Sequence, residues 1–238
     1  MAAPTVDKGG TDPDGGLQAG GLIVHGPYED LPEIASRRPR WGDFAAWWDA
    51  SARGQADDAM SNLAAGCNVR PGPGELAALC EEWGFLAVEI AGELLGKVGA
   101  PDGDLTAKYP CVRAADVRGS EAHPWREVAP VDLLDRVLAV SRRALLFKTP
   151  AGLLAMRPPG ASVAGPYQDA MVAVRAGKVD ASTAEAARAL ELGCAIEPPA
   201  AVLAGMIEEY PALVYCLYDV LAEAGRPGKA KARPLTAP

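Results

Sequence analysis

Histidine does most of the acid–base work of proteins at neutral pH, and this 238-residue chain has two. His25 ends the run Leu22-Ile23-Val24-His25 at a Gly26-Pro27 turn, and a related stretch later in the chain has Lys148 at the corresponding place. The position therefore reads as a polar strand end. His123, in Ala122-His123-Pro124-Trp125, reads as a loop residue. Cys67, Cys80, Cys111, Cys194 and Cys216 are scattered, with no Cys-x-x-Cys and no His-x-x-x-His, so no metal site is expected. Cys67 and Cys194 each follow a glycine at a helix end, and a free cysteine packs as a small hydrophobe, so both are expected to be buried. Glu81-Glu82 and Glu208-Glu209 are paired carboxylates, but neighbours on a helix point about 100° apart and cannot converge on one substrate. No Walker loop, Gly-x-Gly-x-x-Gly turn or Gly-x-Ser-x-Gly elbow occurs. These residues predict neither a catalytic site nor a cofactor.

The aromatic residues point elsewhere. Trp41, Phe44, Trp47 and Trp48 crowd one short segment, in which positions 44, 47 and 48 form a helical stripe. Two adjacent tryptophans cannot both face one core, and tryptophan is enriched in interface hot spots. Trp47 and Trp48 are thus candidate partner contacts, as are Tyr215 and Tyr218, which flank a leucine face near the C-terminus.

The elements that must position these residues come in two related sets. Residues 59–83 align with 186–210 at an offset of 127, with nine of 25 positions identical. The identities include Gly66-Cys67 with Gly193-Cys194, Pro71 with Pro198, Leu76 with Leu203, and Glu81-Glu82 with Glu208-Glu209. Upstream, with small gaps, Leu22-Ile23-Val24 resembles Leu145-Leu146-Phe147, and Arg38-Pro39 resembles Arg157-Pro158. Each set reads as a β-hairpin followed by about four helices. The helices fall at 43–53, 56–65, 74–82 and 85–98, then at 166–176, 182–192, 198–209 and 211–225. Ser182 and Glu185 form a capping box, and Gly193 is expected to stop its helix as a left-handed cap. The fold class is mainly α with short β-hairpins (α+β), in two tandem related modules at 21–101 and 145–227. A connector at 102–144, rich in Pro, Gly and charge, carries one helix near 131–142. Residues 1–20 and the basic 228–238 are expected to be disordered tails.

A net charge of −8 and a pI near 4.9 argue against nucleic acid as the main partner. No apolar run spans a bilayer, residues 1–16 lack the core of a signal peptide, and an odd cysteine count suits a reducing compartment. The expectation is a cytoplasmic protein without a membrane partner.

The order of hairpin, Arg-Pro, aromatic-led helix, helix ending near a cysteine, proline, helix and proline-started helix resembles small tail-assembly proteins of tailed bacteriophages, including assembly chaperones and baseplate-hub assembly factors. Phe147, Met156-Arg157-Pro158-Pro159, Tyr167, Gly193-Cys194, Pro198, Glu209-Tyr210-Pro211 and Gly225 carry the likeness over about 80 residues. It implies a non-enzymatic protein that binds tail tube, tape-measure or baseplate subunits, in the cytoplasm of a bacterial host or in the virion. A helical adaptor of a bacterial complex unrelated to phage is the other expectation.

Overall fold

The run Leu145–Thr149 (β5) meets Pro150 and Ala151, which turn the chain into Gly152–Met156 (β6), and the Thr149 hydroxyl donates to the Gly152 carbonyl at 2.8 Å. Gly152 has φ +112°, a value that favours glycine over any L-residue. This hairpin begins the second half of the chain. The computed structural model describes residues 21–28, 31–178 and 181–226. The expected tails at 1–20 and 228–238 lie outside the described residues.

The first half runs β1 (Ile23–His25), β2 (Ile34–Ser36), α1 (Trp41–Ala52), α2 (Ala56–Cys67), β3 (Asn68–Arg70), α3 (Pro73–Glu82) and α4 (Leu86–Leu95). After β5 and β6, the second half continues with α7 (Ala161–Arg175), α8 (Thr183–Cys194), β7 (Ala195–Glu197), α9 (Ala200–Glu209) and α10 (Ala212–Gly225). The order β-β-α-α-β-α-α thus occurs twice. Both three-strand arrays are antiparallel, in the order β1-β2-β3 and β5-β6-β7, with a register irregularity at Ala35/Ser36 and at Ala155/Met156. The Arg37 N–H donates to the Cys67 carbonyl and the Arg157 N–H to the Cys194 carbonyl, both at 2.8 Å. The Arg37 side chain reaches the Gly66 carbonyl, and the Arg157 side chain reaches that of Gly193. Arg37, not Arg38, is therefore the counterpart of Arg157, one residue away from the sequence alignment.

Short strands and helices leave many polar ends, and the chain satisfies them locally. The Asp43 carboxylate accepts the Arg40 N–H at the start of α1 (2.9 Å). The Ser182 hydroxyl accepts the Glu185 N–H at the start of α8 (3.0 Å). Asp49 of α1 adds a cap from the other half, its Oδ1 accepting the N–H groups of Thr183 and Ala184 at 2.8 and 3.1 Å. One apolar core runs through both halves, from Ile34, Phe44 and Ile90 to Leu203, Ile207 and Leu217.

Several expectations need correction. Each half has a third strand, β3 and β7, beyond the expected hairpin and helices, because three residues after a helix give no alternating pattern. Helix α7 begins five residues before Pro166. That proline forfeits one helical hydrogen bond, while Val163, a turn earlier, packs on α8 at Gly193. Gly193 lies inside α8 and has no left-handed φ. The connector is structured beyond one helix. It supplies β4 (Cys111–Arg113), which pairs with β5, then α5 (Ala114–Gly119), a 3-10 turn at Pro124–Glu127 and α6 (Val131–Val140). Ala114, Val117, Trp125, Leu134 and Val137 of this segment form a second core against Leu146 and Ala155 of the sheet.

Candidate functional site

The closest approach to a catalytic constellation lies between β1, β2 and α4. His25 Nδ1 lies 2.6 Å from Glu93 Oε2 and Nε2 lies 2.9 Å from the Ser36 hydroxyl oxygen, both within hydrogen-bond distance. The order Ser–His–acid is that of an activated serine. A nucleophile also needs access and an oxyanion donor. Ser36 has no exposed surface, and the N–H of the following residue is committed to the Cys67 carbonyl. Ser36 and His25, both buried, therefore form with the exposed Glu93 a latch joining the hairpin to α4. Their counterparts in the second half, Met156, Phe147 and Val220, are apolar and occupy the same places in strand register and at the offset of 127. His25 matches Phe147, not Lys148, because His25 pairs with Ile34 as Phe147 pairs with Leu154. His123 stays in the connector, where its side chain accepts the Trp125 N–H at 3.2 Å and caps the 3-10 turn.

The four aromatic residues singled out as partner contacts meet one another. Trp48 is buried, and its ring centroid lies 4.8 Å from that of Tyr215 and 5.4 Å from that of Tyr218. Trp47 is half-buried at 6.2 Å from Tyr215, with Phe44 at 5.2 Å. Tyr167 of α7 extends the cluster at 6.1 Å from Tyr218. Trp48 is thus no surface anchor. Trp48 is covered because α1 packs on α8 and α10 of the other half, while Trp47, Tyr215 and Tyr218 stay half-buried along this seam.

Burial disfavours the charged forms of several thiols and of one carboxyl in the core. Burial pushes the Cys67 and Cys216 thiols up to about 12, and those of Cys111 and Cys194 up to about 11. Glu191 of α8 is fully buried without a hydrogen-bond partner, and desolvation holds its carboxyl well above the ordinary carboxylate range. Its counterpart at the offset of 127 is Ala64. Among the described residues, no group of three or more His, Cys, Asp or Glu could hold a metal ion, and no helix is long and apolar enough to cross a membrane.

What differs most between the halves is the outer face of each sheet. In the second half, Leu146, Ala155 and Ile196 point away from the main core and are covered by α5, α6 and Trp125. Strand β4 occupies the edge of β5. The counterparts in the first half are Val24, Ala35 and Val69; Ala35 on the central strand is buried, but its two neighbours are not. Val24 is 56% exposed and Val69 45%, with Leu22 exposed beside them. Among the described residues β1 pairs only with β2, so its other edge is open. A bare strand edge beside apolar side chains is a template for another chain. Sequence reasoning missed this surface because Leu22, Val24 and Val69 read there only as strand and helix-flanking residues. Comparison of the chain with protein-family models, with curated proteins and with solved structures finds no match.

Proposed function

We propose that the chain is a non-enzymatic assembly protein, built from two related modules, that binds another protein subunit on the outer face of its first sheet. The observation that carries this reading is the asymmetry of the two sheets. The chain covers the second with its own strand and helices, whereas among the described residues nothing covers Val24, Val69 and the β1 edge of the first. Strand addition at an open edge, with side chains filling the adjoining face, is an established mode of protein recognition. The partner this surface fits is a segment with an extended apolar stretch and an amphipathic helix, which is what β4, α5 and α6 provide to the second sheet. The likeness to tail-assembly proteins supports a tailed phage as the setting, with tail tube, tape-measure or baseplate proteins as partners.

The test is affinity purification of the tagged chain from its native source, with mass spectrometry of what stays bound. Tail proteins at fixed stoichiometry are expected, and they should be lost from Val24→Glu/Val69→Glu, a variant that changes only exposed side chains. Partners from a cellular complex would replace the phage setting with that of an adaptor. A chain that elutes alone, or partners untouched by the double substitution, would remove the reading.

A further inference from the structure

Helices α3 and α9 both end in two glutamates, Glu81-Glu82 and Glu208-Glu209, and neither has a basic residue in its last turn. Carboxylates are misplaced there, because the C-terminal end of a helix is the negative end of its dipole and favours cations. At the end of α9 the chain brings the cations in from elsewhere. Arg188 of α8 pairs with Glu208 at 3.1 Å. The Arg38 guanidinium lies over the ring of Tyr210, the residue after Glu209, at 4.9 Å from its centroid, and Glu209 acts on its charge. Trp41 keeps similar company. Arg188 lies over its ring at 5.4 Å and within 3.9 Å of Glu185, whose carboxylate accepts the Trp41 indole N–H at 2.6 Å. An arginine held by an aromatic face and a carboxylate is thus an arrangement this chain makes twice.

The end of α3 offers the same aromatic and carboxylate groups without the arginine. Glu81, Glu82 and Trp83 match Glu208, Glu209 and Tyr210 at the offset of 127. The place of Arg188 is taken by Ser61, and Arg157 is followed by Pro158 where Arg37 is followed by Arg38. Between Pro71 and Gly96 the chain has five glutamates, all exposed, and no lysine or arginine. Among the described residues only Glu93 of these five has an ionic partner, His25. Phe85 is 79% exposed and Trp83 46%, and Val88 is exposed one turn into α4. Exposed aromatic and apolar side chains therefore lie together with unpaired carboxylates at this corner.

We infer that the corner at 81–88 is a docking site for an arginine-bearing segment of a partner protein, its guanidinium stacking on the Trp83 indole beside Glu81 and Glu82. Charge complementarity selects the class of segment, since these carboxylates repel an acidic one and gain nothing from a neutral one. Arginine fits better than lysine, because a planar guanidinium can stack on an indole and fork onto a carboxylate at once, and tryptophan offers the strongest ring face to a cation. The partner supplies to the first corner what Arg38 and Arg188 supply to the second, and its apolar residues cover Phe85 and Val88. The corner shares no residue with the outer face of the first sheet, so either proposal can fail alone.

Fluorescence anisotropy of a labelled peptide of alternating glycine and arginine, titrated with the full chain, tests this beside the matching glycine–lysine and glycine–glutamate peptides. The arginine peptide is expected to bind roughly fivefold or more tighter than the lysine peptide, and the glutamate peptide not at all. Raising the salt should weaken the binding. Affinity should fall by roughly tenfold or more both in Glu81→Gln/Glu82→Gln and in Trp83→Ser. If Trp83→Ser fails to fold, Phe85→Ser, at a side chain mostly in solvent, takes its place with a loss expected in the same direction. An arginine peptide that does not bind, or that binds equally well to the corner variants, would overturn the proposal. Equal affinity for arginine and lysine would do so too, as the mark of diffuse charge attraction. Binding that appears only after residues 227–238 are deleted would assign the corner to the chain's own basic end. Self-association of the free chain that Trp83→Ser abolishes would assign it to a second copy. Either of these also overturns the proposal.

Discussion

At the scale of single residues, the chain holds polar groups where its other half shows that none is needed. Glu191 is the sharpest case, a buried carboxyl without a partner. Its folded pKa is raised by burial, so the native state binds more protons than the unfolded one at pH values above the ordinary carboxylate value of 4.5. Stability therefore falls as pH rises from there towards the raised folded value, and then levels. Glu191→Met should abolish this slope and raise stability at pH 7 by about 1–3 kcal/mol, read from urea unfolding at several pH values. An unchanged slope would mean that Glu191 is not the titrating group. The Ser36–His25–Glu93 latch makes the complementary case. Glu93→Val alone leaves the buried imidazole without its carboxylate partner and should cost about 1–3 kcal/mol. The triple variant His25→Phe/Ser36→Met/Glu93→Val installs the apolar set of the second half and should return to within about 1 kcal/mol of the starting stability. Additive losses in the triple variant would show that the two halves do not pack these positions alike. None of this was legible in the sequence. Residues 25, 36 and 93 are brought together only by strand pairing and by the packing of α4, and Glu191 looks like any surface glutamate on an amphipathic helix.

At the scale of elements, helix α8 and its counterpart α2 separate packing from backbone geometry. Gly193 was expected as a left-handed cap, but it is helical, and an added Cβ would meet Val163 Cγ1 at 2.8 Å. The β-branched Val163 has little rotamer freedom with which to give way. Gly66, at the matching place in α2, would meet only Asp43 Oδ1 at 3.8 Å. Thermal unfolding should accordingly show Gly193→Ala destabilised by about 1 kcal/mol or more and Gly66→Ala neutral or stabilised by up to about 1 kcal/mol. Equal effects at the two sites would contradict the close approach of α7 to α8. The hairpins and helices were legible from periodicity and from turn residues such as Pro150 and Gly152. The three-residue strands β3 and β7, and β4 inside the connector, were not. Their place is fixed by partners distant in sequence, Ala35 and Ser36 for β3 and Leu145, Leu146 and Phe147 for β4. The aromatic cluster was legible in part. Trp47 and Trp48 do point to different sides of one helix, and the approach of α10, which the sequence does not announce, brings Tyr215 and Tyr218 against Trp48 and leaves Trp47 half-buried.

At the scale of the whole molecule, the two halves share an order of elements, a pair of arginine contacts to the helix before the third strand, and a set of matched buried leucines. They differ in what covers them. The second sheet is closed by β4, α5 and α6, whereas among the described residues Val24, Val69 and the β1 edge of the first sheet are exposed. A sheet face buried in one half and exposed in the other fits the proposal that another molecule completes it, and that is the central claim. Hydrogen–deuterium exchange of the free chain and of its purified complex tests it most directly. The account predicts that amides of residues 22–25, on the open edge of β1, and of residues 68–70 in β3 become protected when the partner binds. Protection confined to other parts of the chain, with β1 exchanging as freely as before, would contradict it.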